Sequence, residues 1–421
     1  MQTENKTYFP SLKAVQAAAE RLKSVAVSTP LTQNLQYSKR FNANILFKRE
    51  DLQLVRSYKI RGAYNRISSL TPTQMEHGIV CASAGNHAQG VALSCKLLKI
   101  KGTIFMPSPT PNQKIEQVKM FGENYTDIVL VGDTYDDAYH AAMLECERLN
   151  KTFIHPFNDK EVIEGQATIG LEILSQIDAP LDYVFVPVGG GGLASGLSTV
   201  FKQLSPDTKI IGVEPLGAPS MQTSLKNGCN TELTSIENFV DGAAVKKVGD
   251  RTFAICQQNL SDMITVPEGK ICETILELYN KDAVVVEPAG ALSVAALDFY
   301  AEEIKGKNVV CVISGSNNDI TRTAEIKERA LLYSNLKHYF IVKFPQRAGA
   351  LKEFVAEILG PNDDITYFQY TKKTNRENGS AVVGIELKSS ADLAPLMKKM
   401  KSRNFFGDYL NDKPDLFQFL V

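Results

Sequence analysis

Four consecutive glycines, residues 189–192, directly follow an apolar run over residues 183–188. Backbone N–H groups of glycines can approach a ligand closely, and a helix that begins here adds the positive end of its dipole. The pattern therefore predicts a phosphate-binding site. The spacing of these glycines with Ala194 also fits a dinucleotide fingerprint, in which Glu214 would bind the ribose. The motif alone does not decide which phosphate compound binds.

Lys59 is a second candidate and lies in the run RSYKIRGA, residues 56–63. An arbitrary lysine beside arginines is most often a solvated surface cation. A lysine in a partly desolvated pocket is easier to keep neutral, and a neutral amine can form a Schiff base with a carbonyl compound. The third candidate is the loop SAGNH, residues 83–87, which follows a short apolar run at residues 79–82.

Elements that can position these residues are visible in the apolar pattern of the first three quarters of the chain. Short β-branched runs, apolar on both faces, alternate with segments of helical spacing, as in a parallel sheet covered on both sides. This alternation predicts a doubly wound α/β fold, which binds ligands beyond the carboxyl ends of its strands. The predicted strands are residues 79–82, 103–106, 128–131, 183–188, 210–213 and 309–313.

The pattern changes near residue 321. Residues 322–336 are predicted to form a connecting helix, and residues 337–421 a small separate domain. Apolar spacing there predicts the order β-α-β-β-α-β of a ferredoxin-like α+β fold, with residues 417–421 as a candidate closing strand. RNA-recognition motifs share this order but need aromatic residues on a central strand, and residues 380–385 carry none.

Composition narrows the class of protein. The 421 residues suggest two to three domains, and 46 basic against 47 acidic side chains leave no charge surplus for nucleic acid or anionic lipid. Seven scattered cysteines without a C-x-x-C pair predict neither a disulfide scaffold nor a zinc site. The polar N-terminus and the lack of a long apolar run predict a cytoplasmic protein without a membrane partner.

Seven segments, taken together and in this order, resemble biosynthetic threonine deaminases (threonine ammonia-lyases), a family in the tryptophan-synthase-like, fold type II branch of pyridoxal phosphate enzymes. The resemblance runs from about residue 9 to the C-terminus. It implies a catalytic domain of two α/β lobes over residues 1–321, with the cofactor between them, and an ACT-like regulatory domain over residues 337–421. The segments are EDLQ (50–53), RSYKIRGA (56–63), SAGNH (83–87), GGGGL (189–193), DGAAV (241–245), EPAGA (287–291) and SGSN (314–317).

The resemblance also implies roles for individual residues. Lys59 matches the lysine that carries pyridoxal 5'-phosphate and takes the α-proton of the substrate. Asn86 matches the asparagine at the 3-oxygen of the pyridine ring, and Ser314 matches the serine at its nitrogen. The cofactor phosphate is expected at Gly189, Gly190, Gly191, Gly192 and Leu193. The substrate carboxylate is expected at Ser83, Gly85 and His87.

The implied reaction is a β-elimination that converts L-threonine to 2-oxobutanoate and ammonia, the first step of isoleucine biosynthesis, with L-serine as a secondary substrate. Isoleucine is the implied effector, and a homotetramer is the implied assembly. A catabolic serine/threonine dehydratase without isoleucine feedback is the alternative within this class. A nicotinamide-dependent oxidoreductase and a non-catalytic amino-acid sensor are the alternatives outside it.

Three further positions refine these expectations. Serine racemases of this fold carry a second serine where this chain has Ala84, so we expect elimination without appreciable racemisation. The segment from Glu214 to Ser220 resembles a divalent-cation site of some racemases, but Ser220 replaces an acidic ligand, so we predict no metal. Glu287, which precedes Pro288, is expected to be a charge at a helix N-terminus.

Overall fold

The computed structural model describes residues 8–370, 378–413 and 415–417. The chain is divided into two compact units, Met1–Ile320 and Thr321–Val421. Within the described residues, no helix combines the length and the apolar character needed to cross a membrane.

Two sheets form the framework of the first unit. The larger sheet has the strand order β1-β2-β10-β7-β8-β9, and the smaller has the order β5-β4-β3-β6. Neighbouring strands are parallel, except that β1 runs antiparallel to β2. The strands are β1 (Leu31–Gln33), β2 (Asn44–Arg49), β3 (Ile79–Ala82), β4 (Gly102–Met106), β5 (Thr126–Leu130), β6 (Thr152–Phe153), β7 (Tyr183–Pro187), β8 (Lys209–Pro215), β9 (Asp262–Val266) and β10 (Asn308–Ile313).

Helices connect these strands, as expected for parallel pairs, which need a crossover. The helices of the first unit are α1 (Leu12–Leu22), α2 (Leu35–Phe41), α3 (Lys59–Ser68), α4 (Pro72–His77), α5 (Asn86–Leu98), α6 (Asn112–Gly122), α7 (Tyr135–Leu149), α8 (Lys160–Gln176), α9 (Gly192–Leu204), α10 (Ser220–Asn227), α11 (Asp250–Asn259), α12 (Glu268–Asp282) and α13 (Pro288–Ala295).

Strand β3 shows why its residues are apolar throughout. Successive side chains of a strand point to opposite faces. Ile79 and Cys81 therefore enter a core with α3 and α5, whereas Val80 and Ala82 enter another with α7. The predicted doubly wound α/β fold is confirmed. Strand β5 differs from the expectation, because it lies at the edge of the smaller sheet and is only partly buried.

Arg61 lies on α3, the helix that begins with Lys59, and forms ion pairs with residues outside this helix. The Arg61 guanidinium is almost fully buried and donates to Glu50 at 2.8 Å and to Glu172 at 2.6 Å. Burial acts to raise the pKa of Glu50, but Arg61 and Lys48 outweigh it and hold that pKa below its usual value. A buried ion network therefore fixes the start of α3.

The second unit has the ferredoxin-like order predicted from its sequence. An antiparallel sheet in the order β12-β13-β11-β14 packs against two helical segments. Its elements are α14 (Thr323–Tyr333), β11 (Lys337–Pro345), α15 (Ala350–Glu353) continued by a wider helical turn over Phe354–Ile358, β12 (Asp364–Tyr370), β13 (Asn378–Glu386), α16 (Leu393–Ser402) and β14 (Phe406–Tyr409).

The strand that closes this sheet is not the predicted one. Strand β14 pairs with β11, and Tyr409 lies opposite Phe340. Phe417, where the expected strand would begin, is helical, and residues 418–421 lie outside the described residues.

Candidate active site

Lys59 stands at the start of α3, at the end of a loop that is tied to the loop after β10. Ser57 forms an isolated bridge with Gly315. The backbone N–H of Tyr58 donates to the Ser314 carbonyl at 3.2 Å. These contacts bring together Lys59 and Ser314, two of the predicted site residues, which are far apart in sequence.

The environment of Lys59 favours a neutral amine. Its Nζ donates to the Pro156 carbonyl oxygen at 3.0 Å. Burial lowers the pKa of Lys59 to about 8, although the nearby carboxyl of Glu287 acts in the opposite direction. The unprotonated, nucleophilic form of this side chain is therefore populated at lower pH than that of an ordinary lysine.

The four glycines after β7 form a surface that admits no side chain. A Cβ on Gly190 would lie 2.2 Å from ring atoms of Phe157, and a Cβ on Gly189 would lie 3.0 Å from the backbone of Ala243. Gly191 has a φ of 88°, which favours glycine, and precedes α9 without a side-chain cap. The N–H groups of the first turn of α9 are thus available to a ligand, which fits the predicted phosphate site.

Leu193 has a different place from the glycines. Its side chain is 2% exposed and packs in the core of the larger sheet. Only its backbone can take part in the predicted phosphate site.

The loop after β3 leads into the N-terminus of α5. The Gly85 N–H donates to the Ser83 hydroxyl oxygen at 3.2 Å, and a Cβ on Gly85 would meet nothing within 4 Å. No side chain caps the helix at Gly85. This loop therefore offers open space next to free helical N–H groups, which suits a carboxylate.

The His87 side chain turns away from that space. It is 3% exposed, and its Nε2 lies 2.9 Å from the Ile154 carbonyl oxygen. Burial lowers the pKa of His87 to about 3, with Lys59 adding to the effect, so the imidazole is neutral. Nε2 is thus occupied by the Ile154 carbonyl, and the backbone N–H of His87 in the first turn of α5 is available to a substrate.

Asn86 joins two groups that the sequence does not connect. Its Nδ2 donates to Glu287 Oε1 at 2.6 Å, and its Oδ1 accepts from Asn317 Nδ2 at 2.6 Å. Glu287 stands at the N-cap of α13, but its carboxylate caps no N–H of that helix. The sequence-based expectation of a simple helix charge therefore misses its contact with Asn86.

Ser314 follows β10 and is 3% exposed. Its hydroxyl donates to the Ala289 carbonyl at 3.3 Å. The hydroxyl is uncharged and can redirect its hydrogen toward a ring nitrogen, which fits the predicted role.

Glu214 is not free to bind a ribose or an ion. It is fully buried, and its two carboxylate oxygens accept from the backbone N–H groups of Met221 and Gln222 at 2.7 and 3.0 Å. Burial raises the pKa of Glu214 to about 8. In the described part of the chain, no cluster of three potential metal-ligating side chains is found. Glu214 therefore does not support the dinucleotide interpretation, which needs a free carboxylate to bind the ribose.

Sequence reasoning missed Pro156 and Phe157, which shape the site from the segment after β6. Neither residue belongs to a periodic pattern or a recognised motif. The only available signal was their position after a strand of the smaller sheet, where ligand-binding loops are expected.

Comparisons with known proteins agree with the two-part organisation. Residues 23–315 match the family described as pyridoxal-phosphate dependent enzyme, and residues 328–420 match the C-terminal regulatory domain of threonine dehydratase. L-threonine dehydratase biosynthetic IlvA of Bacillus subtilis is 56% identical over 410 residues, which cover 97% of each chain. The protein of the same name from Halalkalibacterium halodurans is 55% identical over 404 residues, or 96% of this chain and 97% of that one.

A solved structure shows the same likeness in three dimensions. The processed form of threonine deaminase isoform 2 from Solanum lycopersicum aligns with a TM-score of 0.73 and 40% identity. The alignment covers 78% of this chain and 91% of that chain.

Proposed function

This chain belongs to the biosynthetic threonine dehydratase family of pyridoxal-phosphate dependent enzymes, and from that premise we propose that Lys59 carries its cofactor. The enzyme deaminates L-threonine to 2-oxobutanoate and ammonia in isoleucine biosynthesis. The biosynthetic relatives and the match to a regulatory domain do not favour the catabolic alternative.

One observation carries the assignment of Lys59. Lys59 is partly buried, its amine has a pKa lowered to about 8, and the preceding residue, Tyr58, donates its N–H to the Ser314 carbonyl. A lysine whose amine is partly removed from water is easier to keep neutral, and a neutral amine is well suited to form a Schiff base. The glycine surface at residues 189–192 and the uncapped start of α9 supply donors for the cofactor phosphate.

When bound, pyridoxal phosphate supplies an electron sink for the negative charge left at the substrate α-carbon. The N–H groups at the start of α5 bind and orient the threonine carboxylate. The neutral Lys59 Nζ accepts the α-proton, because burial lowers its pKa toward neutral pH. The uncharged Ser314 hydroxyl does not hold a ring nitrogen protonated, so the α-carbon charge is less deeply stabilised and loss of the β-hydroxyl is favoured.

Borohydride reduction followed by peptide mapping tests this assignment. We expect the reduced cofactor on Lys59, and loss of the visible absorbance and of ammonia release from threonine in Lys59→Ala. Lys96→Ala, on the solvent-facing side of α5, is the matched control and should keep both. An adduct on another lysine would refute the assignment.

We also propose that residues 337–421 form the regulatory domain and bind isoleucine. A cavity of about 280 Å³ opens in this unit beside Phe344, Phe368 and Tyr370. These rings suit an aliphatic side chain, and Arg347 at the rim suits a carboxylate. Arg347 is paired with Glu353, a carboxylate that a ligand carboxylate would have to replace. The cavity is lined by Phe344, Pro345, Arg347, Gly349, Ala350, Leu351, Lys352, Phe368 and Tyr370.

Isoleucine inhibition tests the proposed regulatory cavity. Arg347→Gln should raise the isoleucine concentration for half-inhibition about tenfold, the usual scale for one charged contact, and leave uninhibited activity unchanged. Arg403→Gln is the control, because Arg403 is also exposed and paired, with Glu357, in the same unit. Equal sensitivity of both variants would place the effector elsewhere.

The remaining assignments rest on the family alone. We propose a homotetramer in the cytoplasm, with L-serine as a secondary substrate and residues 1–321 as the catalytic domain. Light scattering of the purified enzyme measures the assembly, and a mass close to one chain would contradict the tetramer.

A further inference from the structure

Asn86, Asn317 and Glu287 form a hydrogen-bond chain with a fixed direction. At one end, Asn317 Nδ2 donates to the Val55 carbonyl oxygen at 2.9 Å, and a carbonyl can only accept. The same Nδ2 donates to Asn86 Oδ1 at 2.6 Å. At the other end, Asn86 Nδ2 donates to the Glu287 carboxylate at 2.6 Å.

This chain leaves Asn86 a single amide orientation. Asn317 requires an acceptor and an ionised Glu287 requires a donor, so the Asn86 oxygen and nitrogen cannot exchange places without losing both bonds. An amide nitrogen carries two hydrogens, and Glu287 uses one of them. The second remains for another acceptor.

The surroundings keep the Glu287 carboxylate in place. The side chain is 5% exposed, and a Cβ on Gly315 would lie 2.5 Å from its Oε1, so a larger residue there would displace it. Gly315 directly follows Ser314. The same short loop therefore borders both Glu287 and the residue expected at the ring nitrogen.

We propose that Glu287 is a positioning residue, which acts with Asn317 to hold the second Asn86 Nδ2 hydrogen toward the 3-oxygen of the cofactor ring. The inference rests on the proposed function, in which Asn86 contacts that oxygen. Glu287 itself is assigned no contact with cofactor or substrate.

Burial and the charged groups around Glu287 together set the pKa of its carboxyl. Burial raises the pKa of Glu287 to about 7, and Asp241 adds to this effect, whereas Asn86 and Lys114 oppose it. Lys59 and Tyr58 face the same carboxyl from the start of α3. Above pH 7 the carboxylate accepts from Asn86. Below pH 7 the protonated acid is a weaker acceptor for Asn86, so Asn317 alone holds the amide orientation.

A double-mutant cycle on cofactor affinity tests the proposal. Glu287→Leu removes the acceptor at similar volume and should raise the Kd of pyridoxal 5'-phosphate about 10- to 100-fold, the scale of a hydrogen bond to a charged group. In an Asn86→Ala background the same change should have less than about a twofold effect, because coupled residues are not additive. Equal effects in both backgrounds would overturn the proposal.

The conservative variant gives a second readout if Glu287→Leu does not fold. Glu287→Gln can still accept from Asn86, so it should keep most of the affinity. It cannot ionise, so the inflection near pH 7 in the visible absorbance of the bound cofactor should disappear. An inflection that persists in Glu287→Gln would refute the proposal. The control is Glu164→Gln, because Glu164 is a buried glutamate on α8 that is hydrogen-bonded to Tyr8. This control variant should keep the inflection near pH 7.

Peptide mapping after borohydride reduction separates this inference from the proposed function. A wild-type adduct on a residue other than Lys59 would overturn the proposed function. An adduct on Lys59 together with an unchanged pH titration in Glu287→Gln would overturn the role of Glu287 alone.

Discussion

The pH at which Lys59 becomes nucleophilic can be measured directly in protein stripped of its cofactor. Burial lowers the pKa of Lys59 to about 8. At pH 7.5 roughly one quarter of the amine is then neutral, against roughly one thousandth for a lysine of pKa about 10.5. The neutral fraction of Lys59 thus exceeds that of an ordinary lysine by about 200-fold at this pH.

Pulsed reductive methylation across a pH series is the assay. The modified fraction of Lys59 is quantified by mass spectrometry, with the exposed lysines of the same protein as internal standards. Slow access to the site lowers the absolute rate at every pH, but the inflection still reports the pKa. We expect an inflection near about pH 8 for Lys59 and near about 10.4 for the exposed lysines.

The variant Glu287→Gln independently tests the direction in which Glu287 shifts the pKa of Lys59. The Glu287 carboxyl acts to raise the pKa of Lys59, so its neutralisation should move the inflection to lower pH. An inflection for Lys59 at or above pH 10 in the wild type would show that desolvation does not govern this amine. A move to higher pH in the variant would show that Glu287 does not raise the pKa of Lys59.

Three further substitutions follow, two from contacts described above and one from the residue type at position 84. Gly190→Ala should raise the Kd of pyridoxal 5'-phosphate at least about tenfold, because the new Cβ must displace Phe157; a cofactor titration with unchanged affinity would contradict this. Arg61→Met should lower the free energy of unfolding, measured by urea denaturation at pH 7, by about 3–5 kcal/mol, because Glu50 loses its buried ion-pair partner. Adding Glu50→Gln to this variant should restore part of that loss. A loss below about 1 kcal/mol would argue against the ion network. Ala84→Ser should form D-serine from L-serine, whereas the wild type should not form D-serine at rates near turnover. Chiral chromatography of the residual serine measures D-serine formation by both proteins.

The catalytic framework could be predicted from the sequence because its signals are local. Residues 79–82 coincide with β3, since four consecutive apolar residues suit a strand covered on both faces. The glycines at 189–192 could likewise be placed after a strand and before a helix. The packing around these glycines could not be predicted. Phe157 contacts Gly190 from a loop that is distant in sequence and has no periodic pattern.

Long-range pairing explains the other differences. The contact between Asn86 and Glu287 spans 201 positions and has no local signature. Strand β14 is short and contains a glycine and an aspartate, whereas residues 417–421 are mostly apolar and look more like a strand. The register with β11, rather than local apolar content, determines which segment closes the sheet.

The place of β10 in the larger sheet has a consequence for synthesis of the enzyme. This strand lies between β2 and β7, so the antiparallel pair of β1 and β2 joins the rest of the sheet through a segment made some 260 residues later. A growing polypeptide on the ribosome therefore holds Lys59 long before it holds Ser314. We expect nascent chains that end before residue 308 to be unable to retain vitamin B6, however completely their earlier helices have folded.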